Sequence, residues 1–463
     1  MDLTPEEILG RLDITWVVVS ALLVMFMQAG FAFLEMGFVR AKNAGSVIAK
    51  VLMNFSIASL GWWLAGFAIA FGGAGWFAGD SGFLLSVGDL LHKGPAESLY
   101  GAEVDGKMAA FFFFQLVFCG VSLAIVWGST LERTKLIVYP LYGAVFSVII
   151  YPLVAHWIFG GGWLAQFGDG VQDFAGSTVV HLTGATGALA CLLLLGPRRG
   201  KYGPDGRPRP IPGHSLPLFG LGVMILWLGW FGFNAGSTLG SDGFRFAEVA
   251  AVTNLAAAAG VLTAALTSRI MQGTVDVGMC GNGAIAALVG ITAPAGYVEM
   301  WAAPIIGGIA GVLVVVAVIL IDKKLDDPVG ALSAHGLAGV WGTLACGIFS
   351  SPRLVEAVGV GKPGLVYNGS FEQLGVQAVG VLSAFALVFT LSLVTFWLIK
   401  VTVGLRVDEE TEEAGLDITE HGMYGYPEQF IGRAELEGAG VPIATAGSPT
   451  AVAPITTKEV PAT

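Results

Sequence analysis

HLTGATGALAC (residues 181–191) and HGLAGVWGTLAC (residues 335–346) read as two copies of one pattern. From Thr183 and Ala338 onward they share G-x-x-G-x-L-A-C in register, and each sets one histidine just ahead of a glycine-rich stretch without charge. Self-similarity within a chain marks a repeated structural unit. An ionisable group inside a lipid-embedded helix is costly and tends to belong to a substrate or proton path. A lone imidazole there would most simply hydrogen-bond a neighbouring helix; its repetition favours the path.

The surroundings of both copies are membrane-like. Of 463 residues, 55% are hydrophobic and 12% charged, against about 25% charged in soluble domains. Runs free of charge and long enough to cross a bilayer, about 20 residues, occur at 14–34, 51–79, 108–131, 136–168, 174–197, 210–241, 249–268, 277–298, 300–321, 331–352 and 371–399, the last broken only by Glu372. The expected fold is an all-α polytopic membrane protein of eleven transmembrane helices. VMFMQAGFAFLEMG from Val24 matches VMILWLGWFGFNAG from Val223 more weakly, so the first helix pairs with the sixth and the fifth with the tenth. Copies five helices apart cross in opposite senses, the mark of an inverted repeat of helices 1–5 and 6–10 with its site near the midplane. The eleventh helix stands outside that symmetry.

The domains expected are an external amino terminus at 1–13, a transmembrane unit at 14–400 (halves 14–197 and 210–352, last helix 371–400), a cytoplasmic tail at 401–430 and a disordered, Ala/Pro/Thr/Gly-rich end at 431–463. Fifteen Lys and Arg fall in the segments after odd-numbered helices, six on the other face and two in the distal tail. By the positive-inside bias the amino terminus is external and the carboxyl terminus cytoplasmic. The acidic start lacks the basic region of a cleavable signal, so the first span is expected to be retained.

Soluble chemistry finds little support. A net charge of −11 argues against nucleic acid. Cys119, Cys191, Cys280 and Cys346 all lie in predicted spans without C-x-x-C spacing, so neither a disulfide frame nor a metal site is expected. There is no P-loop and no H-E-x-x-H. G-D-S-G at 79–82 resembles a serine-protease motif but sits in a loop with no companion base, and is set aside. No cofactor is called for, and no enzyme is expected.

The spans themselves carry candidates. Gly makes up 67 residues, which lets helices approach closely. Aromatic residues cluster at FFFFQLVF (111–118) and WLGWFGFNAGS (227–237). Phe114 and Phe118 share a helical face, as Trp230 and Phe233 nearly do; such faces suit a cation–π box and an apolar constriction. An interfacial aromatic belt accounts for Trp227 and Phe111–Phe113. Asp173 stands where an N-cap carboxylate would fix the start of the fifth helix. Glu35, the one acidic residue in its span, reads as an interfacial or buried structural carboxylate.

AGFAFLEMGFVRAKN (29–43), FQLVF (114–118) with the following LER (131–133), DFAGSTVVH (173–181), GWFGFNAGS (229–237), MCGNGAIAALVGITAPAGYV (279–298), DDPVGALSAHGLAGVWGTLACGIF (326–349) and GLDITEHGMYGYPE (415–428) are long and contiguous. Through them the chain resembles the ammonium transporters of the Amt/MEP/Rh superfamily, Amt branch, over residues 16–429. The resemblance implies a homotrimer with a pore through each protomer, in the plasma membrane. It implies that Phe114, Trp230 and Ser237 form an external ammonium site, that Phe118 and Phe233 form a phenylalanine gate, and that His181 and His335 line the pore as a proton relay. Asp173 matches the structural aspartate near the outer site. Gly415, Asp417, His421 and Gly422 match the cytoplasmic tail motif.

The function implied is recruitment of NH4+, or of methylammonium as an analogue, followed by deprotonation and conduction of NH3 while a proton moves through the histidines. An ammonium sensor signalling through the tail is the alternative, and a trimeric PII (GlnK-like) signalling protein is the partner implied. One departure stands out: Phe159 occupies the position of the family tryptophan before G-G-G, with Trp157 and Trp163 nearby. Phenylalanine offers a weaker cation-binding face and no indole N–H, so either outer affinity falls or a neighbouring tryptophan substitutes.

Overall fold

The computed structural model describes residues 4–73, 75–79, 81, 105–241, 243 and 245–430. Asp80 and Gly82 of the G-D-S-G stretch and the whole 431–463 end lie outside these residues. The described chain is helical, without a β-strand and with two isolated bridges, Thr134 to Arg406 and Tyr202 to Pro208. Its apolar helices are α1 (Pro5–Phe38), α2 (Ala41–Phe71), α3 (Lys107–Gly128), α4 (Val138–Gln166), α5 (Ser177–Leu195), α6 (Leu216–Thr238), α7 (Arg245–Gln272), α8 (Val277–Thr292), α9 (Ala302–Ile321), α10 (Leu332–Phe349) and α11 (Glu372–Thr402). Ten are long and apolar enough to cross a bilayer. The exception is α8, whose 16 residues rise only about 24 Å. A tight turn at Pro294–Gly296 follows, so the stretch expected to continue as helix to residue 298 is cut short by proline.

In lipid every backbone group needs an internal partner, which makes helix ends the places where polar residues are spent. Thr4 and Glu7 close a reciprocal capping box on α1. Ser215 caps α6 ahead of Pro217, and Asp276 accepts from Met279 N–H at the head of α8.

Glycine then sets how close the helices come. α1 lies along α6, the two helices whose sequences match. A methyl group on Gly37 would stand 2.5 Å from the Phe219 nitrogen, and one on Gly222 would stand 2.3 Å from the Leu34 nitrogen. Neither position tolerates a side chain without separating the pair. α7, α8 and α9 pack mutually, and α11 lies across α5 and α10.

Two features of the repeat were not legible in its letters. The segments Ser177–Leu182 and Leu332–Leu337, which carry His181 and His335, are both π-helical turns. Such turns are rare and widen the helix locally, and they tend to sit at functional positions.

Candidate functional site

On one side of the bundle is a cavity of about 380 Å³ whose walls include Phe114, Phe118, Phe159, Asp173, Ser237 and Tyr297. Phe114 and Phe118 stand 4.6 Å apart between ring centroids, as their four-residue spacing on α3 dictates. Ser237 Oγ donates to the Phe233 carbonyl at 2.8 Å, which leaves its lone pairs to accept from a ligand. Gln115, which the sequence reading passed over, lines the same space.

Trp230 is placed beside His181. It is not among the residues lining this cavity; it is fully buried, donates its indole N–H to Thr292 Oγ1 at 2.9 Å, and stacks on His181 at 5.2 Å and 16°. The physical reason is depth: Trp230 lies three residues before Phe233 on nearly the same face of α6, about one turn further into the bundle. Neither neighbouring tryptophan replaces the expected ring at Phe159. Trp157 donates to the Phe77 carbonyl at 2.9 Å and packs on Trp163, which packs in turn on Trp76. The aromatic part of the cavity wall is phenylalanine and tyrosine.

Behind it Phe118 and Phe233 lie face to face, 4.0 Å apart and 16° from parallel, and both are buried. Phe233 is 5.4 Å from His181, and His181 is 5.3 Å from His335 with the rings 20° from parallel. The two Nδ1 atoms share a hydrogen bond of 3.2 Å. One imidazole must therefore donate and the other accept. His181 Nε2 has no protein partner among the described residues.

The position of His181 is set by Asp173. Its Oδ1 accepts from Gly176 and Ser177 N–H at 2.8 Å each, and its Oδ2 accepts from Thr178 and Val179 at 2.9 and 3.0 Å. Four amides at the head of α5 are thus satisfied by one carboxylate, which stands three residues ahead of the N-cap residue, Gly176. Gly176 adopts φ 113°, a conformation that glycine alone enters freely, and turns the chain into the π segment.

Beyond the histidines a second, smaller cavity is lined by His335, Phe31, Glu35, Gly128, Asn282 and Val329, among others. Glu35 is buried and paired with Lys50 of α2. Farther along, a charged lattice closes this face. Glu132, in a left-handed conformation at φ 72°, accepts from Arg40 N–H at 2.7 Å and Arg198 Nη1 at 2.9 Å, while Arg198 also forks onto Asp326. The segment after α11 packs against it. Asp417 accepts from Gly45, Ser46 and Gly425 N–H, so this carboxylate caps the early turns of α2. Gly415 (φ 104°) and Gly422 (φ 68°) bracket the short helix Leu416–His421, and His421 is half-buried with Nε2 unpartnered among the described residues.

Apolar spans around a stacked phenylalanine pair and facing imidazoles define a multi-pass membrane protein of the transporter class. The ammonium transporter family model matches residues 15–426. The chain is 44% identical to ammonium transporter Amt2 of Archaeoglobus fulgidus over 92% of its own length and 90% of that protein. It is 37% identical to ammonium transporter 3 of Dictyostelium discoideum, covering 90% and 94%. Among solved structures, one titled Sensor Amt Protein superposes with a TM-score of 0.81 at 36% identity, covering 90% of this chain and all of that one. Candida albicans Mep2 superposes at 0.78 with 30% identity, covering 90% of each. The chain belongs to the ammonium transporter family.

Proposed function

We propose that this protein moves ammonium across the membrane as NH3 plus a proton. The observation that carries the reading is the 3.2 Å contact between His181 Nδ1 and His335 Nδ1, set directly behind the Phe118–Phe233 stack. NH4+ is drawn into the outer cavity by aromatic faces and by the Ser237 lone pairs, since it both carries charge and donates hydrogen bonds. Phe114 and Ser237 serve there with Phe159, and Trp230 supports His181 from the side. A bare cation loses most of its hydration energy in an apolar lumen, whereas NH3 loses far less. Potassium cannot shed a proton, so the same lumen excludes it.

The imidazole pair gives the proton its own route. A proton accepted at one Nε2 is matched by transfer of the Nδ1 proton across the 3.2 Å contact and release from the other Nε2. The pair then holds swapped tautomers and resets before the next cycle.

The same reading places the protein in the plasma membrane as a homotrimer of independent pores, with its amino terminus outside and the tail in the cytoplasm. The tail docked on α2 is where a PII signalling protein would act. Docking of Asp417, together with similarity to a structure titled as a sensor, favours a second reading in which ammonium occupancy is signalled through the tail. Currents from proteoliposomes on a solid-supported membrane test the first reading. Ammonium and methylammonium jumps are expected to give saturable currents that equal jumps of potassium do not. A protein that binds methylammonium yet passes no current would favour the sensor.

A further inference from the structure

The proposed route ends, at His335, on the second cavity, and one of its walls is a carboxylate. Glu35 (α1) and Lys50 (α2) are each 1% exposed and form an ion pair within the bundle. A buried pair contributes little stability over well-packed apolar residues of the same volume, so stability alone does not account for charges held at this depth. Ionisable groups inside spans are by default candidates for function.

Geometry gives the pair a direction. Lys50 Nζ occupies Oε2. Oε1 is turned the other way, 3.6 Å from where a side chain on Gly128 would begin, and Gly128 lines the same cavity as His335. Asn282 adds an amide to that wall, with its Nδ2 donating to the Val329 carbonyl at 3.3 Å. Room for water centres amounts to about 20 Å³, enough for one water or one ammonia.

We infer that Glu35 is the inner proton acceptor of the transport cycle, aimed by Lys50. The inference rests on the histidine-relay reading and adds the station that follows it. A proton leaves Nε2 of the His335 imidazolium and passes through a single water, which gains one O–H bond and loses another. It ends on Oε1, so His335 is neutral and Glu35 is a carboxylic acid. NH3 arriving in the cavity takes that proton on its lone pair, forming NH4+ and restoring the carboxylate. Lys50 then repels the new cation while competing for Oε2, so product is released toward the cytoplasm instead of lodging beside the acid. Both protons and charge balance without any further reactant.

A purely structural pair would merely pin α1 to α2, and neutral groups of similar shape would do that as well. Proteoliposomes carrying Glu35→Gln/Lys50→Gln, His335→Ala or the wild type separate the two roles, read as ammonium-driven current and as charge moved per methylammonium. The double variant is expected to fold and to lose current by about tenfold or more, with Glu35→Asp, which keeps the charge but withdraws it from the cavity, falling between. Wild-type current in the double variant with loss in His335→Ala overturns the Glu35 assignment and leaves the relay standing. Wild-type charge movement in His335→Ala as well would bring down the relay itself. Should the double variant not fold, infrared difference spectra of the wild type decide the matter. Ammonium addition is expected to raise a protonated-carboxyl band that Glu35→Asp shifts, and its absence in the wild type overturns the assignment.

Discussion

Phe118 and Phe233 close face to face, 4.0 Å apart, and His181 lies 5.4 Å behind Phe233 with no exposed surface. Two rings from different helices thus stand between the cavity lined by Phe114 and Ser237 and the first imidazole. Phe118→Ala removes one leaf. Modification of His181 by diethylpyrocarbonate, followed by mass spectrometry, is expected to be slow in the wild type and markedly faster in the variant, which also loses about 3 kcal/mol of stability. Equal rates would mean that the stack is not what shields the histidine.

The tail is expected to stay docked only while Asp417 holds its amides. Asp417→Ala leaves the Gly45 and Ser46 N–H groups without their acceptor, at a cost of about 1–2 kcal/mol. Gly415→Ala places a methyl group 2.6 Å from the Lys42 carbonyl at φ 104° and should act in the same direction. Limited proteolysis should cut both variants after α11 faster than the wild type, with the membrane unit left intact.

Acid should act first on the charged lattice around Glu132, Arg198 and Asp326. Burial by itself raises the Asp326 carboxyl, but hydrogen bonds from Arg198 and the charges of Arg133 and Arg198 outweigh it and hold the group at about 2. A depressed carboxyl stabilises the fold at pH values above its unfolded value near 3.9, and that stabilisation is lost as pH falls toward 2. Thermal unfolding in detergent should therefore show Asp326→Asn to be less stable than the wild type at pH 7, with the difference shrinking between about pH 4 and pH 2. A gap that widens on acidification would contradict this.

Much of the arrangement was legible before any coordinates. Charge-free runs located the spans, because lipid permits little else. The spacing of Phe114 and Phe118 placed them on one face, and the repeated histidines do meet across the bundle. The depth of Trp230 was not legible, because motif order carries none: three residues along nearly one helical face move a side chain about one turn, to the side of the imidazole. The π turns left no mark in composition, since they arise from packing of whole helices. Glu35 was visible as an isolated charge, but its partner lies 15 residues away on another helix, and the cavity it shares with His335 exists only once α1, α3, α8 and α10 are assembled.

The imidazole pair is the centre of the account, and charge moved per methylammonium transported measures it most directly. Radiolabelled uptake and integrated current, recorded on the same proteoliposomes, give that ratio for the wild type, His181→Ala and His335→Ala. One charge per molecule in the wild type and loss of charge movement in both variants, with any residual uptake electrically silent, is the predicted result. An unchanged ratio and rate in both variants would show that the proton does not pass between these rings.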